Sequence, residues 1–150
     1  MNNKALLNKY QLNEFIAIDL ETTGLSPETE SIIEISAVKF KNGKEDDIFT
    51  YLLDPQKPIS SFIENLTGIA NDMVKGKPIF TDIVDDFIAF IENFPIVGHN
   101  VGFDINFIKS QSKNKFNISE NHEICDTYLL SKIILFNNEQ FSLEAISEHY

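Results

Sequence analysis

The chain has 150 residues, 43% of them hydrophobic, with thirteen Phe and no Trp. That suffices for one domain with its own core, falls short of two ordinary domains, and is too apolar for a disordered segment. A single cysteine excludes an internal disulfide, and a net charge of −11 argues against a broad basic surface for gripping nucleic-acid phosphates.

The polar opening Met1-Asn2-Asn3-Lys4 has no apolar run behind it, which argues against a secretory signal, and no uncharged stretch is long enough to cross a bilayer. The expectation is a soluble cytoplasmic protein with no membrane partner. Two considerations soften the charge argument, one being that enzymes that turn over rapidly need only transient strand contacts. Acidic groups at a metal site have their local field reversed by the bound cations. The rest, notably Glu45-Asp46-Asp47 and the Asp82/Asp85/Asp86 helix face, reads as solvated surface.

There is no internal repeat, low-complexity tract or Gly/Ser linker. Phe15 to Leu20 is a short apolar run of the kind buried on both sheet faces. Thr22-Thr23-Gly24 and Ser26-Pro27 break it into a loop. Ile32 to Phe40 predicts a second strand, Asn42-Gly43 a hairpin turn and Ile48 to Leu53 a third strand, together an antiparallel meander. Ser60 to Leu66 and Asn71 to Val74 read as short helices. Thr81 is the expected N-cap of a longer helix with Ile83, Val84, Phe87, Ile88 and Ile91 on one face, ended by Pro95. Ile96 to Gly98 predicts a buried strand, followed by a helix from about Gly102 to Ser112 and a short strand near Ile118 to Ile124. Helices over Thr127 to Phe136 and Ser142 to Tyr150 complete an α/β fold with a mixed sheet.

The chemistry concentrates in carboxylates. Asp19 and Glu21 alternate on one strand, so they face the same way, roughly 7 Å apart at the backbone. They stand at the C-terminal end of the strand, where open α/β sheets place their ligands. Hard oxygen donors so spaced suit Mg²⁺ or Mn²⁺, and a pair of ions about 4 Å apart could share one carboxylate. Alternatively the pair only polarises a loop entrance or accepts hydrogen bonds from Thr22 and Thr23. Asp104, in His99-Asn100-Val101-Gly102-Phe103-Asp104, falls in the first turn of a helix, where the dipole favours an ionised carboxylate; an ordinary helix-start acid would look the same. Phe103 beside it could equally be core filling.

Asp19-Leu20-Glu21-Thr22-Thr23-Gly24-Leu25 resembles the first motif of the DnaQ-like superfamily of 3′–5′ proofreading exonucleases, and His99 to Asp104 its second. Ile32-Ile33-Glu34-Ile35, Asn65-Leu66-Thr67-Gly68-Ile69 and Cys125-Asp126-Thr127 resemble intervening and later segments, in order, from about Asn13 to the end of the chain. The resemblance implies an RNase H-like fold with a mixed five-stranded sheet flanked by helices. It also implies removal of nucleotides from the 3′ end of single-stranded nucleic acid, DNA favoured over RNA, by a two-metal mechanism with Mg²⁺ or Mn²⁺. Asp19 would bridge both ions, Glu21 hold one and Asp104 support the site. Thr22, Thr23, Gly24 and Leu25 would contact the terminal nucleotide, with Leu66, Thr67, His99, Asn100 and Phe103 around it. A polymerase or helicase is the implied partner, and Thr22-Thr23-Gly24 with His99-Asn100 is closer to the subclass whose third motif carries His.

That third motif, a His or Tyr followed by a metal-binding Asp, should come after the Ser142 to Tyr150 helix, where the sequence stops. The expectation is therefore one exonuclease domain over 1–150, truncated at the C-terminus, without its last helix, general base and fourth carboxylate. Such a fragment would be weakly active or inactive and would self-associate through exposed apolar surface. The competing reading is a non-catalytic metal-binding, nucleic-acid-binding or polymerase-docking module. His122 reads as a solvated loop residue, and Lys109, Lys113 and Lys115 as helix-end cations rather than a strand track. Cys125 has no basic neighbour that would make it a nucleophile.

Overall fold

The computed structural model describes residues 13–113, 115–116, 122–135 and 139–147. Strands β1 (Glu14–Thr22), β2 (Ile32–Lys41) and β3 (Lys44–Leu52) form the expected antiparallel meander. Asn42 and Gly43 both take positive φ, 53° and 76°, the geometry that matches a tight hairpin turn to the twist of its strands. β3 starts four residues earlier than Ile48, because the ladder runs through Glu45, Asp46 and Asp47 back to the turn. Those exposed acids line a sheet edge, where charge discourages pairing with another chain.

Helices α1 (Ser61–Thr67), α2 (Asn71–Val74) and α3 (Phe80–Ile91) follow, then β4 (Ile96–Gly98), α4 (Gly102–Gln111), β5 (Ile124–Asp126), α5 (Thr127–Ile134) and α6 (Leu143–Ser147). The sheet order is β3-β2-β1-β4-β5, with β4 parallel to both β1 and β5. β5 begins at Ile124, where the Ile118 to Ile124 expectation ended; residues 117–121 lie outside the described residues. Residues 136 and 148–150, in the last two expected helices, lie outside them too.

The cap of α3 also differs from expectation. Ile79 is the N-cap and Thr81 lies within the first turn, because the Asp82 carboxylate reaches back to accept the Ile79 N–H at 3.2 Å. Phe80, Ile83, Val84, Phe87 and Ile91 are buried from this helix, each side chain worth roughly 1.5–3 kcal/mol of burial. They meet Ile16, Ile18 and Leu20 of β1 and Ile105 and Ile108 of α4 in the main core. A smaller cluster of Ile33, Ile59, Ile63, Ile69 and Val74 seats α1 and α2 beside the start of β2.

β1 is not buried on both faces. Ile16, Ile18, Leu20 and Thr22 point into the core, while Ala17 and Glu21 are half-buried and Asp19 is exposed on the other side. That second face borders α5 and α6 across a recess lined by Ala17, Asp19, Val38, Val97, His99 and Leu143. No helix among the described residues is long and apolar enough to cross a membrane.

Candidate active site

Asp19 and Glu21 share the face of β1 opposite the core, as their two-residue spacing requires. The antiparallel register sets Glu34 of β2 across from Glu21, and a register shift follows at Glu21/Thr22, where the ladder ends and the loop begins. Burial raises the pKa of Glu21, and the charges of Asp19 and Glu34 raise it further. Partial loss of water around its carboxyl likewise raises Asp19, although the residue as a whole is exposed, against a hydrogen bond from the Leu20 backbone and the favourable charge of His99.

Asp104 arrives from the other side of the β1–β4 junction. Gly98 ends β4 with no room for a side chain, since a Cβ there would lie 2.8 Å from Val101 Cγ2 and 3.2 Å from the Ile18 carbonyl. Asn100 then turns the chain through φ 61°, and α4 opens with Asp104 in its first turn. Asp104 is 4% exposed. Its carboxyl is pushed up to about 7, mainly by loss of water, then by the charge of Asp19 and, to a lesser degree, Asp126; hydrogen bonds from its own and the Leu20 backbone oppose the shift.

The charge of Asp19 therefore raises the proton affinity of both Glu21 and Asp104. The ion pairs formed among the described residues, Lys39–Glu92, Lys41–Glu14, Lys57–Glu30 and Lys115–Asp85, all lie elsewhere. A hard divalent cation fits this donor set, which offers oxygens, unrelieved negative charge and partial burial. Among the described residues no three His, Cys, Asp or Glu side chains converge closely enough to enclose an ion unaided. Mg²⁺ usually needs no such cage, taking one or two carboxylates and completing its shell with water and substrate phosphate.

The loop after β1 uses its hydroxyls internally. Thr22 Oγ1 donates to the Gly24 carbonyl at 2.6 Å, and Thr23 Oγ1 donates to Glu30 Oε2 at 2.5 Å while accepting the Ser31 N–H at 2.9 Å. Neither hydroxyl is spent on Asp19 or Glu21, so the loop-entrance alternative loses its hydrogen-bond donors. Leu25 projects at the tip, 85% exposed. Leu66 is likewise 69% exposed on α1, whereas Thr67 closes that helix, donating to the Ile63 carbonyl and accepting the Ile69 N–H. Phe103 is half-buried, with its ring centroid 4.8 Å from that of Phe107.

His99 and Asn100 are held by residues not expected in the site. His99 Nδ1 lies 3.1 Å from Thr127 Oγ1, which donates to the Gly98 carbonyl, and the His99 ring meets Tyr128 edge-on. Asp126 caps α5 through the Tyr128 and Leu129 N–H groups and also accepts the Asn100 N–H at 3.0 Å. The signal for Asp126 was present as an acid directly before a helical run, the usual N-cap pattern; its second bond, across the sheet to the Asn100 turn, is tertiary. Glu34 announced itself only as an acid inside an apolar strand. His122 is half-buried rather than solvated, its Nε2 2.8 Å from the Glu92 carbonyl. Cys125 has its thiol pKa raised by burial and by Asp126, which keeps it protonated and unreactive. Lys115 is committed to Asp85 at 2.7 Å.

Comparison with known proteins gives a consistent result. The Exonuclease (RNase_T) family model matches residues 16–150. The chain is 41% identical over 137 residues to the PolC-type DNA polymerase III of Caldanaerobacter subterraneus subsp. tengcongensis, covering 91% of this chain and 10% of the polymerase. It is 37% identical over 136 residues to the 3′-5′ exonuclease DinG of Bacillus subtilis, covering 89% of this chain and 14% of DinG. The chain thus spans only about a tenth of the length of the curated relatives it matches. Among solved structures, exonuclease X in complex with 5′ overhanging duplex DNA superposes with a TM-score of 0.65 at 26% identity, covering 90% of this chain and 72% of that one. The fold is RNase H-like, with the mixed five-stranded sheet flanked by helices.

Proposed function

Because this chain belongs to the exonuclease family, we propose that it is one exonuclease domain whose Asp19–Glu21–Asp104 face removes nucleotides from the 3′ end of single-stranded DNA. The observation that carries this reading is Asp104: a carboxylate 4% exposed, raised to about 7, and facing Asp19. Such repulsion costs stability and is retained where the charges have work to do.

Asp19 and Glu21 would hold the metal from β1, with Asp104 completing the set from α4. Two divalent ions, Mg²⁺ or Mn²⁺, when bound supply an activated water and stabilise the leaving 3′ oxygen. Asp104 would have to be ionised to serve as a ligand. The Gly24 and Leu25 backbone would face the terminal nucleotide, with Leu25 and Leu66 supplying exposed apolar surface for its base or sugar. Thr22, Thr23 and Thr67 contribute by shaping these segments, and His99 tempers the charge of Asp19. Phe103 supports α4 from the half-buried side, and Asn100 shapes the turn that delivers it. DNA is favoured because the relatives include a DNA polymerase and the superposed exonuclease X holds DNA. A polymerase or helicase context in the cytoplasm suits the same reading.

The test is incubation with 5′-labelled single-stranded DNA and RNA in Mn²⁺ or Mg²⁺, beside an Asp19→Ala/Glu21→Ala variant. A weak ladder shortening from the 3′ end, absent in the variant, is the expected result. Metal binding without any ladder would replace the hydrolase with a metal-binding module of the same family.

A further inference from the structure

Glu30 lies seven residues after Thr23, at the far end of the loop that follows β1. A single carboxylate oxygen, Glu30 Oε2, accepts the Thr23 hydroxyl at 2.5 Å and the Lys57 ammonium at 2.6 Å. Lys57 also donates to the Thr29 carbonyl at 2.7 Å, so one ammonium ties down two consecutive residues of the loop. The pair is well shielded for a surface contact, with 32% of the Lys57 side chain and 29% of the Glu30 side chain exposed.

The Glu30 chain also packs beneath the nucleotide-facing turn. A Cβ on Gly24 would lie 2.8 Å from Glu30 Cγ, so the backbone at Gly24 rests against the glutamate stem. The far end of α4 secures the same loop. Gln111 Nε2 donates to the Glu30 carbonyl at 2.9 Å, its Oε1 accepts the Ile32 N–H at 3.3 Å, and Ser110 Oγ donates to the Pro27 carbonyl at 2.7 Å. The helix that delivers Asp104 at one end therefore anchors the Leu25 loop at the other.

We infer that Glu30, gripped by Lys57, is a positioning residue that fixes the Thr22–Leu25 turn against the 3′-terminal nucleotide. This rests on the nuclease reading above and adds to it a device outside both acidic motifs. Charge-assisted bonds to one oxygen, half-shielded from water, hold geometry better than neutral contacts. Loss of such bracing should loosen nucleotide binding while leaving the metal carboxylates on β1 and α4 untouched.

The experiment titrates Mn²⁺ alone, then thymidine 5′-monophosphate in saturating Mn²⁺, into the wild-type chain and its Glu30→Ala, Glu30→Gln and Thr23→Val variants. Glu30→Ala should weaken nucleotide binding roughly tenfold with Mn²⁺ affinity unchanged. Glu30→Gln keeps a neutral acceptor for Thr23 but gives up the ion pair with Lys57, and should recover only part of the loss. Thr23→Val combined with Glu30→Ala should cost less than the sum of the two single changes, since both break the Thr23–Glu30 bond. A simply structural glutamate would lower the melting temperature without changing nucleotide affinity relative to metal affinity. If the wild type binds the nucleotide and Glu30→Ala binds it equally, the positioning role falls alone. If the wild type binds Mn²⁺ but never the nucleotide, the nuclease reading falls and takes this role with it.

Discussion

Asp104 combines near-complete burial with a negative neighbour, and this gives the metal-free protein a definite pH response. Its folded pKa of about 7 lies above the ordinary carboxylate value of 3.8. Below pH 4 the carboxyl is protonated folded or unfolded, and ionisation costs nothing. Between about pH 4 and 7 the unfolded chain sheds the proton while the folded chain keeps it, so stability falls as pH rises and levels off above 7. Asp19 and Glu21, also raised, act in the same direction. The expected loss is on the order of a few kcal/mol. Melting curves in EDTA should show a transition temperature that declines from pH 5 to pH 8. Asp104→Asn should flatten most of that decline and be the more stable protein at pH 8. Added Mn²⁺ should reverse the trend in the wild type, because ionised ligands bind it better. A melting temperature independent of pH in EDTA would mean that Asp104 is better solvated than its burial indicates.

At the scale of elements, the β4–α4 corner carries more constraint than its length suggests. Gly98, Asn100 and Asp126 together set where α4 begins, and hence where Asp104 points. Gly98→Ala would drive a methyl into Val101 and toward the Ile18 carbonyl. The expected cost is about 1–3 kcal/mol, read by urea unfolding, with weaker Mn²⁺ binding because Asp104 shifts with the turn. Full stability and unchanged metal affinity would show that the corner relaxes freely. The sequence made much of this architecture legible. Alternation and the Asn42-Gly43 turn announced the meander, and the Ile83, Val84, Phe87, Ile91 stripe announced α3, because these signals are local. Less legible were features decided by distant partners. The cap of α3 moved to Ile79 because Asp82 reached back for it, and β1 proved one-faced because neighbouring helices, not its own residues, determine what covers it. The shared face of Asp19 and Glu21 and the first-turn place of Asp104 were legible from local spacing, whereas the inward-turned Thr22 and Thr23 hydroxyls depended on Gly24, Glu30 and Ser31.

Taken as one charged body, the molecule would, on the proposed function, bind DNA in an unusual way. Its net charge is −11, and all twelve cationic side chains are lysines, so no guanidinium is present to fork onto phosphate. Lys39, Lys41, Lys57 and Lys115 are engaged with Glu92, Glu14, Glu30 and Asp85. Lys132 stands 4.1 Å over the Tyr128 ring. The acidic surface therefore repels a strand at long range, and these engaged lysines are poorly placed to displace its counterions. On the proposed function, attraction would come at close quarters, from divalent cations and from apolar contact at the exposed Leu25 and Leu66. For a fluorescent oligonucleotide in Mn²⁺, with Asp19→Asn blocking any cleavage, the logarithm of affinity should fall against the logarithm of NaCl concentration with a slope of magnitude only about 1–2. Binding should be absent in EDTA at every salt concentration. A slope of about 5 persisting without metal would reveal a basic track along this surface, and the strand would then be held by lysines rather than through the carboxylate face.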